Sequence, residues 1–347
     1  QQRIVDSRLG LVTVDEVARD YPYTGMHVQR SVFQPNGTTR IRQWQAQTTL
    51  QTLGGQGSEQ RLLPLVAATT DKQFEVGGAL NGVLVSEVAR SFTYGDGYGN
   101  PTLVETTSWD RDPTSPYYNA AWRNSTSFGY ANDTSTWCLG LPTSTISTSA
   151  APDQPALTRT SAYAVDPLAC RITQETIEPN VPASRVVAGY GFDGCGNLSS
   201  ITVTGALPDG SAMPARITRF DHGTRCQFVE SITNAANENT TYSWHADFGV
   251  PTRATDANGL ATAWTLDEYG RRVSQRAPDG TRVTYTFQSC GASGCWRGSD
   301  RRFAAYQRFY AADDSLIREH HAHYDGFDRL RLTEYHGALG AWLQQLS

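Results

Sequence analysis

The sequence predicts an all-β protein, and three observations carry that expectation. Apolar and polar residues alternate with period two, dipeptides suited to tight turns punctuate the alternating runs, and one turn-bearing phrase recurs along the chain.

The alternation is plain in Val283-Thr284-Tyr285-Thr286-Phe287, in Tyr242-Ser243-Trp244 and in Thr262-Ala263-Trp264-Thr265-Leu266. Each run places its large side chains on one face of an extended strand. Composition agrees, because an aromatic fraction of 10%, 31 glycines and Thr-rich runs such as Thr202-Val203-Thr204 favour strands and turns over helices. At 347 residues the chain is long enough to bury a sizeable core. Tyr190, Tyr242, Trp264 and Tyr285 are expected to pack in or between strands.

Between the runs stand Asn36-Gly37, Asn81-Gly82, Asp193-Gly194, Asp209-Gly210, Asn258-Gly259, Asp279-Gly280 and Asp325-Gly326, dipeptides that tolerate the positive φ of tight hairpins. Their spacing is regular in the second half: Gly249 and Gly270 are separated by 21 residues, and so are Gly259 and Gly280. A phrase of aromatic or apolar residue, Asp, two residues, Gly, then Asn or Arg reads Phe192-Asp193-Gly194-Cys195-Gly196-Asn197 and Leu266-Asp267-Glu268-Tyr269-Gly270-Arg271. It returns degenerately as Tyr324-Asp325-Gly326-Phe327-Asp328-Arg329, with weaker copies at Phe220-Asp221-His222-Gly223-Thr224-Arg225 and Asp96-Gly97-Tyr98-Gly99-Asn100. The aromatic residue ends a strand, the Asp accepts hydrogen bonds from the backbone that follows, and the Gly takes the left-handed position that closes the turn. The unit is a β-hairpin, and neighbouring hairpins are expected to pair edge to edge.

This phrase resembles the tyrosine-aspartate repeat of the RHS/YD family: Tyr-Asp, two variable residues, Gly-Arg or Gly-Asn, an apolar residue and a later second Gly. Other stretches are similar to the RHS region of the B component of bacterial ABC-type insecticidal toxin complexes and related virulence proteins. They are Asp20-Tyr21-Pro22-Tyr23-Thr24-Gly25-Met26, Trp137-Cys138-Leu139-Gly140-Leu141-Pro142, and Cys290-Gly291-Ala292-Ser293-Gly294-Cys295 ahead of Tyr324-Asp325. The resemblance runs from about Val12 to Gly337. It implies YD-repeat hairpins pairing into a continuous spiralling sheet, part of a hollow shell that encloses and protects a toxin polypeptide for delivery. It also implies a secreted or cell-surface bacterial setting, with the remaining parts of the same polypeptide or complex and the enclosed toxin as partners. Residues 1–150 read as a β-rich part with degenerate repeats and 151–347 as the hairpin array. The repeats are irregular and no Asp-Pro-x-Gly self-cleavage motif occurs, so the toxin-bearing end is expected outside this chain. The sequence opens at Gln1-Gln2 with no Met and no apolar leader, which predicts a piece of a longer polypeptide.

Two other readings stay open: a cell-surface adhesion or carbohydrate-binding module, with Trp109, Trp122, Trp137, Trp244 and Trp264 as sugar-stacking platforms, and a self-assembling extracellular fibre subunit. A net charge of -5 from 34 acidic and 29 basic residues, with no basic block, argues against nucleic-acid binding. No apolar run approaches the roughly 20 residues of a membrane-spanning helix.

Neither a catalytic residue nor a cofactor site is expected. Gly-x-Ser-x-Gly, phosphate-cradling and His-Glu-x-x-His motifs are missing, and most candidate carboxylates, Asp193, Asp221, Asp267, Asp279 and Asp325, already have a turn to form. Glu319, His321 and His323 share one face of a strand, but strand ligands in a line converge on an ion only with help from a partner strand. A polar strand is therefore expected there, without a metal. Six cysteines permit pairing in an oxidising compartment. Cys290 and Cys295 enclose a four-residue loop with two Gly, suited to a local disulfide or two reduced thiols, while Cys170, Cys195 and Cys226 lie near repeat turns with their connectivity open.

Overall fold

A computed structural model describes residues 2–6, 9–55, 59–289, 301–326, 329–337 and 342–346. These residues form 24 strands and no α-helix, and the pairings from β1 to β12 and from β14 to β24 are antiparallel. Strands are numbered β1 (Gln2–Val5) to β24 (Trp342–Leu346) in chain order. From β1 to β12 and from β14 to β24 successive strands are neighbours, as short hairpin connections require.

The chain divides into two compact units, residues 1–190 with 203–215, and residues 191–202 with 216–347. The first is built on long strands: β4 (Arg40–Thr52), β5 (Leu62–Phe74), β8 (Ala121–Asp133) and β9 (Cys138–Ala150) are 13 residues each. Tyrosines tie these ladders sideways, Tyr94 Oη donating to the Val66 carbonyl at 2.8 Å and Tyr130 Oη to the Pro101 carbonyl at 3.0 Å.

In the second unit the strands shorten to five or six residues in β16 (Asn239–Trp244), β17 (Pro251–Thr255), β18 (Ala261–Leu266) and β19 (Arg272–Arg276). Two such strands with their turns account for the 21-residue spacing of the glycines. The strands lengthen again in β20 (Arg282–Ser289), β21 (Arg301–Tyr310), β22 (Leu316–Asp325) and β23 (Leu330–Gly337).

The described residues do not form the sizeable core that the length allows. Among the described residues the buried apolar side chains are Val12, Cys138, Ala304, Ala322 and Leu332, and most strand residues are half-buried. Edge-to-edge pairing satisfies backbone N–H and C=O groups along the strip, but by itself it covers neither face. Tyr190, Tyr242, Trp264 and Tyr285 sit on strands as expected and are half-buried, so each contributes roughly half of the 2–3 kcal/mol of full aromatic burial.

Candidate functional site

The repeat phrase folds into one recurring turn. In it an Asp carboxylate oxygen accepts the N–H groups two and four residues on. Asp193 holds Cys195 and Asn197 at 2.9 Å each, Asp267 holds Tyr269 and Arg271 at 2.9 Å each, and Asp96 holds Tyr98 at 2.9 Å and Asn100 at 3.1 Å. The residue after the first donor is left-handed: Gly196 at φ 89°, Gly270 at 77° and Gly99 at 88°.

Two further copies, invisible in the phrase, have the same geometry. Asp256 holds Asn258 and Leu260, with Gly259 at φ 79°, and Asn234 holds Ala236 and Glu238, with Asn237 itself left-handed at 62°. The phrase misses them because Thr precedes the clamping residue in both, Leu260 and Glu238 stand where it has Asn or Arg, and Asn237 replaces its Gly. At Asp325 the Arg329 N–H and Nε donate at 3.1 and 2.8 Å, while residues 327 and 328 lie outside the described part. Asp221 holds Gly223 but not a fifth residue, so Phe220 leads into a longer connection.

A second turn class puts the Asp one step before the left-handed residue and adds a hydroxyl. Asp279 accepts both the N–H and Oγ1 of Thr281, with Gly280 at φ 87°, and Asp209 and Asp313 do the same with Ser211 and Ser315. Gly249, at φ 61°, closes a different loop, its N–H donating to the His245 carbonyl. One expectation is corrected: Gly194 and Gly326 do not take a positive φ. In Asp193-Gly194 the clamping Asp opens the turn, so the left-handed position falls three residues later, at Gly196.

Two disulfides join positions that sequence could not pair: Cys138, at the start of β9, with Cys170, 32 residues apart, and Cys195 with Cys226, 31 apart. The second anchors the Asp193 turn, and Asn197 Nδ2 donates to the Cys226 carbonyl beside it at 3.0 Å. Cys290 and Cys295 lie outside the described residues.

The chemically richest cluster is a polar grid on one face of β21, β22 and β23. Register sets its rows: Ala304 faces His323, which faces Leu332; Tyr306 faces His321, which faces Glu334; and Arg308 faces Glu319, which faces His336. Glu319, His321 and His323 thus share a face as their spacing predicts, and β23 supplies the partner strand that sequence could not identify. Arg308 Nε donates to Glu319 at 2.5 Å, the other Glu319 oxygen meets His321 Nε2 at 3.1 Å, and His323 Nε2 lies 3.3 Å from Glu334. The His321 and His336 rings are 4.6 Å apart, and Tyr306 meets His321 edge-on at 4.7 Å.

Glu334 and His323 are 0% and 1% exposed. Burial raises the Glu319 pKa, but the hydrogen bond and charge of Arg308, with help from His321, outweigh it and hold the carboxyl below its ordinary value. Burial first, and then the charge of His321, push His336 down against the pull of Glu319 and Glu334. The missed residues, Glu334 and His336, carried one signal: Leu332, Glu334 and His336 alternate along β23.

The tryptophans separate into two groups. Trp244 stacks on Phe228 at 5.0 Å and donates Nε1 to the Val229 carbonyl at 2.8 Å, and Trp264 donates to Gln275 beneath the Arg272 guanidinium, so both serve the sheet. Trp109 packs under Arg111, whereas Trp122 and Trp137 are 37% and 75% exposed. Among the described residues no helix is long and apolar enough to cross a membrane.

No family model and no curated protein sequence matches the chain. Solved structures do. The crystal structure of TcdB2-TccC3 superposes with a TM-score of 0.58 at 12% identity, covering 93% of this chain and 22% of that one. The TcdB2-TccC3-Cdc42 crystal structure gives 0.58 at 11% identity over 93% of this chain and 24% of that one. The holotoxin pore of the Photorhabdus luminescens Tc toxin gives 0.57 at 11% over 90% and 23%. The chain therefore spans about a quarter or less of the length of these proteins and shares the fold of that part, an RHS-like β-structure.

Proposed function

We propose that the chain is a non-catalytic wall segment of an RHS/YD-repeat shell, secreted or surface-located, which encloses a polypeptide cargo with the other parts of its polypeptide or complex. The observation that carries this reading is the chain-order antiparallel pairing of hairpins whose turns are held by the same Asp or Asn clamp, in a fold shared with toxin-complex structures. Continuous pairing hides strand edges, which a wall exposed to unfolded cargo needs, because an open edge templates pairing with any extended chain. Two disulfides suit an oxidising compartment. The test is electron cryomicroscopy of the purified assembly with proteolysis of its contents. A closed wall and a co-purified polypeptide that protease reaches only after denaturation are expected. An open assembly that retains no polypeptide rejects the reading.

The exposure of Trp122 and Trp137 favours a second reading, a glycan-binding module. Binding on a glycan array, lost in Trp122→Ala or Trp137→Ala, would select it over the wall.

A further inference from the structure

We propose that His321, Glu334 and His336 bind one divalent transition-metal ion of the zinc class, bridging β22 and β23, with Glu319 and His323 as positioning residues. The inference stands apart from the shell reading and uses none of it. Its first support is convergence: one ligand atom from each of the three residues lies within 4.8 Å of the other two. Register makes this a property of the backbone, since His321 is directly opposite Glu334 and His336 is two residues along the same strand, on the same face.

The second support is orientation. A metal-bound imidazole usually gives its other N–H to a carboxylate, which fixes the tautomer and aims the free lone pair at the ion. His321 has this arrangement: Nε2 is 3.1 Å from Glu319, itself held by Arg308, and Nδ1 is turned toward Glu334, 4.0 Å away. His323 Nε2 meets Glu334 at 3.3 Å and steadies the carboxylate ligand in the same way.

The third support is the donor set, which includes the fully buried Glu334 carboxylate. Two imidazole nitrogens and one carboxylate oxygen form a borderline donor set that suits zinc, cobalt or nickel rather than calcium or magnesium. With metal bonds of about 2.0–2.2 Å, tetrahedral ligand atoms lie about 3.3–3.5 Å apart. The side chains must therefore close by up to about 1.5 Å.

The test uses the full chain, free of any histidine tag and treated with EDTA. Zinc chloride is titrated by calorimetry, and cobalt chloride by visible absorption. One zinc per chain at micromolar or tighter affinity is expected, with an intense four- or five-coordinate cobalt spectrum. His336→Ala and Glu334→Gln should abolish binding. Glu319→Gln should weaken it about 10–100-fold without changing the stoichiometry, as outer-shell partners do. His320→Ala, which stacks on Tyr335 and lies off this face, should leave binding unchanged. Circular dichroism checks that each variant is folded; if Glu334→Gln is not, the wild-type cobalt spectrum and His336→Ala decide. Failure of the wild type to take up stoichiometric zinc, a weak octahedral cobalt spectrum, or undiminished uptake by His336→Ala overturns the site.

Discussion

Asn197 closes the turn that Asp193 opens: its N–H donates to one Asp193 carboxylate oxygen at 2.9 Å and its side-chain amide to the other at 3.3 Å. The same amide reaches the Cys226 carbonyl at 3.0 Å, next to the disulfide from Cys195. One side chain thus ties a repeat turn to itself and to the connection 29 residues on.

The glycines of these turns should rank by conformation and space. Gly194 has an ordinary φ and nothing within 4 Å of an added Cβ, so Gly194→Ala is expected to be close to neutral. Gly196 has equal space but φ 89°, and Gly196→Ala should cost about 1–2 kcal/mol. Gly270 is left-handed and its Cβ would come within 2.7 Å of Phe248, so Gly270→Ala should cost more than Gly196→Ala. Thermal melts of the three variants check the order.

Removing the Cys195–Cys226 bridge by Cys195→Ser with Cys226→Ser releases a loop of about thirty residues in the unfolded chain, for which a loss of about 3–4 kcal/mol is expected. Chemical denaturation with and without reductant measures it. The wild type in reductant should lose at least as much as the double variant, because Cys138–Cys170 opens as well.

Acid should unfold the chain through its turns. In Asp193 and Asp267 burial pushes the carboxyl up, but hydrogen bonds from Asn197 and Cys195, and from Arg271 and Tyr269, prevail and hold each below its ordinary 3.8. Asp209, Asp279 and Asp313 are lowered by the hydroxyls and then the N–H groups of Ser211, Thr281 and Ser315. A carboxyl whose folded pKa is depressed adds stability above its unfolded value, near 3.9, and that stability is lost as pH falls through the folded pKa. Denaturation midpoints should therefore hold level with respect to these groups from pH 7 to about 5 and fall below about 4. Asp267→Asn should show a shallower acid decline than the wild type.

Tryptophan substitutions should divide as their surroundings do. Trp244→Ala removes a stack on Phe228 and a hydrogen bond to Val229, and should cost about 2 kcal/mol. Trp137→Ala, at an exposed turn, should stay within about 0.5 kcal/mol. Equal losses in denaturant titrations would mean that Trp244 does not bind the sheet together.

What was legible in the sequence was local. Period-two alternation specifies strands, and an Asp followed three residues later by Gly specifies a clamped turn, because the atoms involved lie within five residues of one another. The line of Glu319, His321 and His323 was legible for the same reason. Left to the tertiary structure was every partnership across strands: Glu334 opposite His321, His336 opposite Glu319, and Cys195 with Cys226 rather than another cysteine. Each depends on register, and a slip of one residue between β22 and β23 would turn Glu334 and His336 to the other face. No short stretch of chain encodes that register. It is set by the turn lengths and by the cross-strand contacts along the whole of both strands, which exist only once the strands have paired.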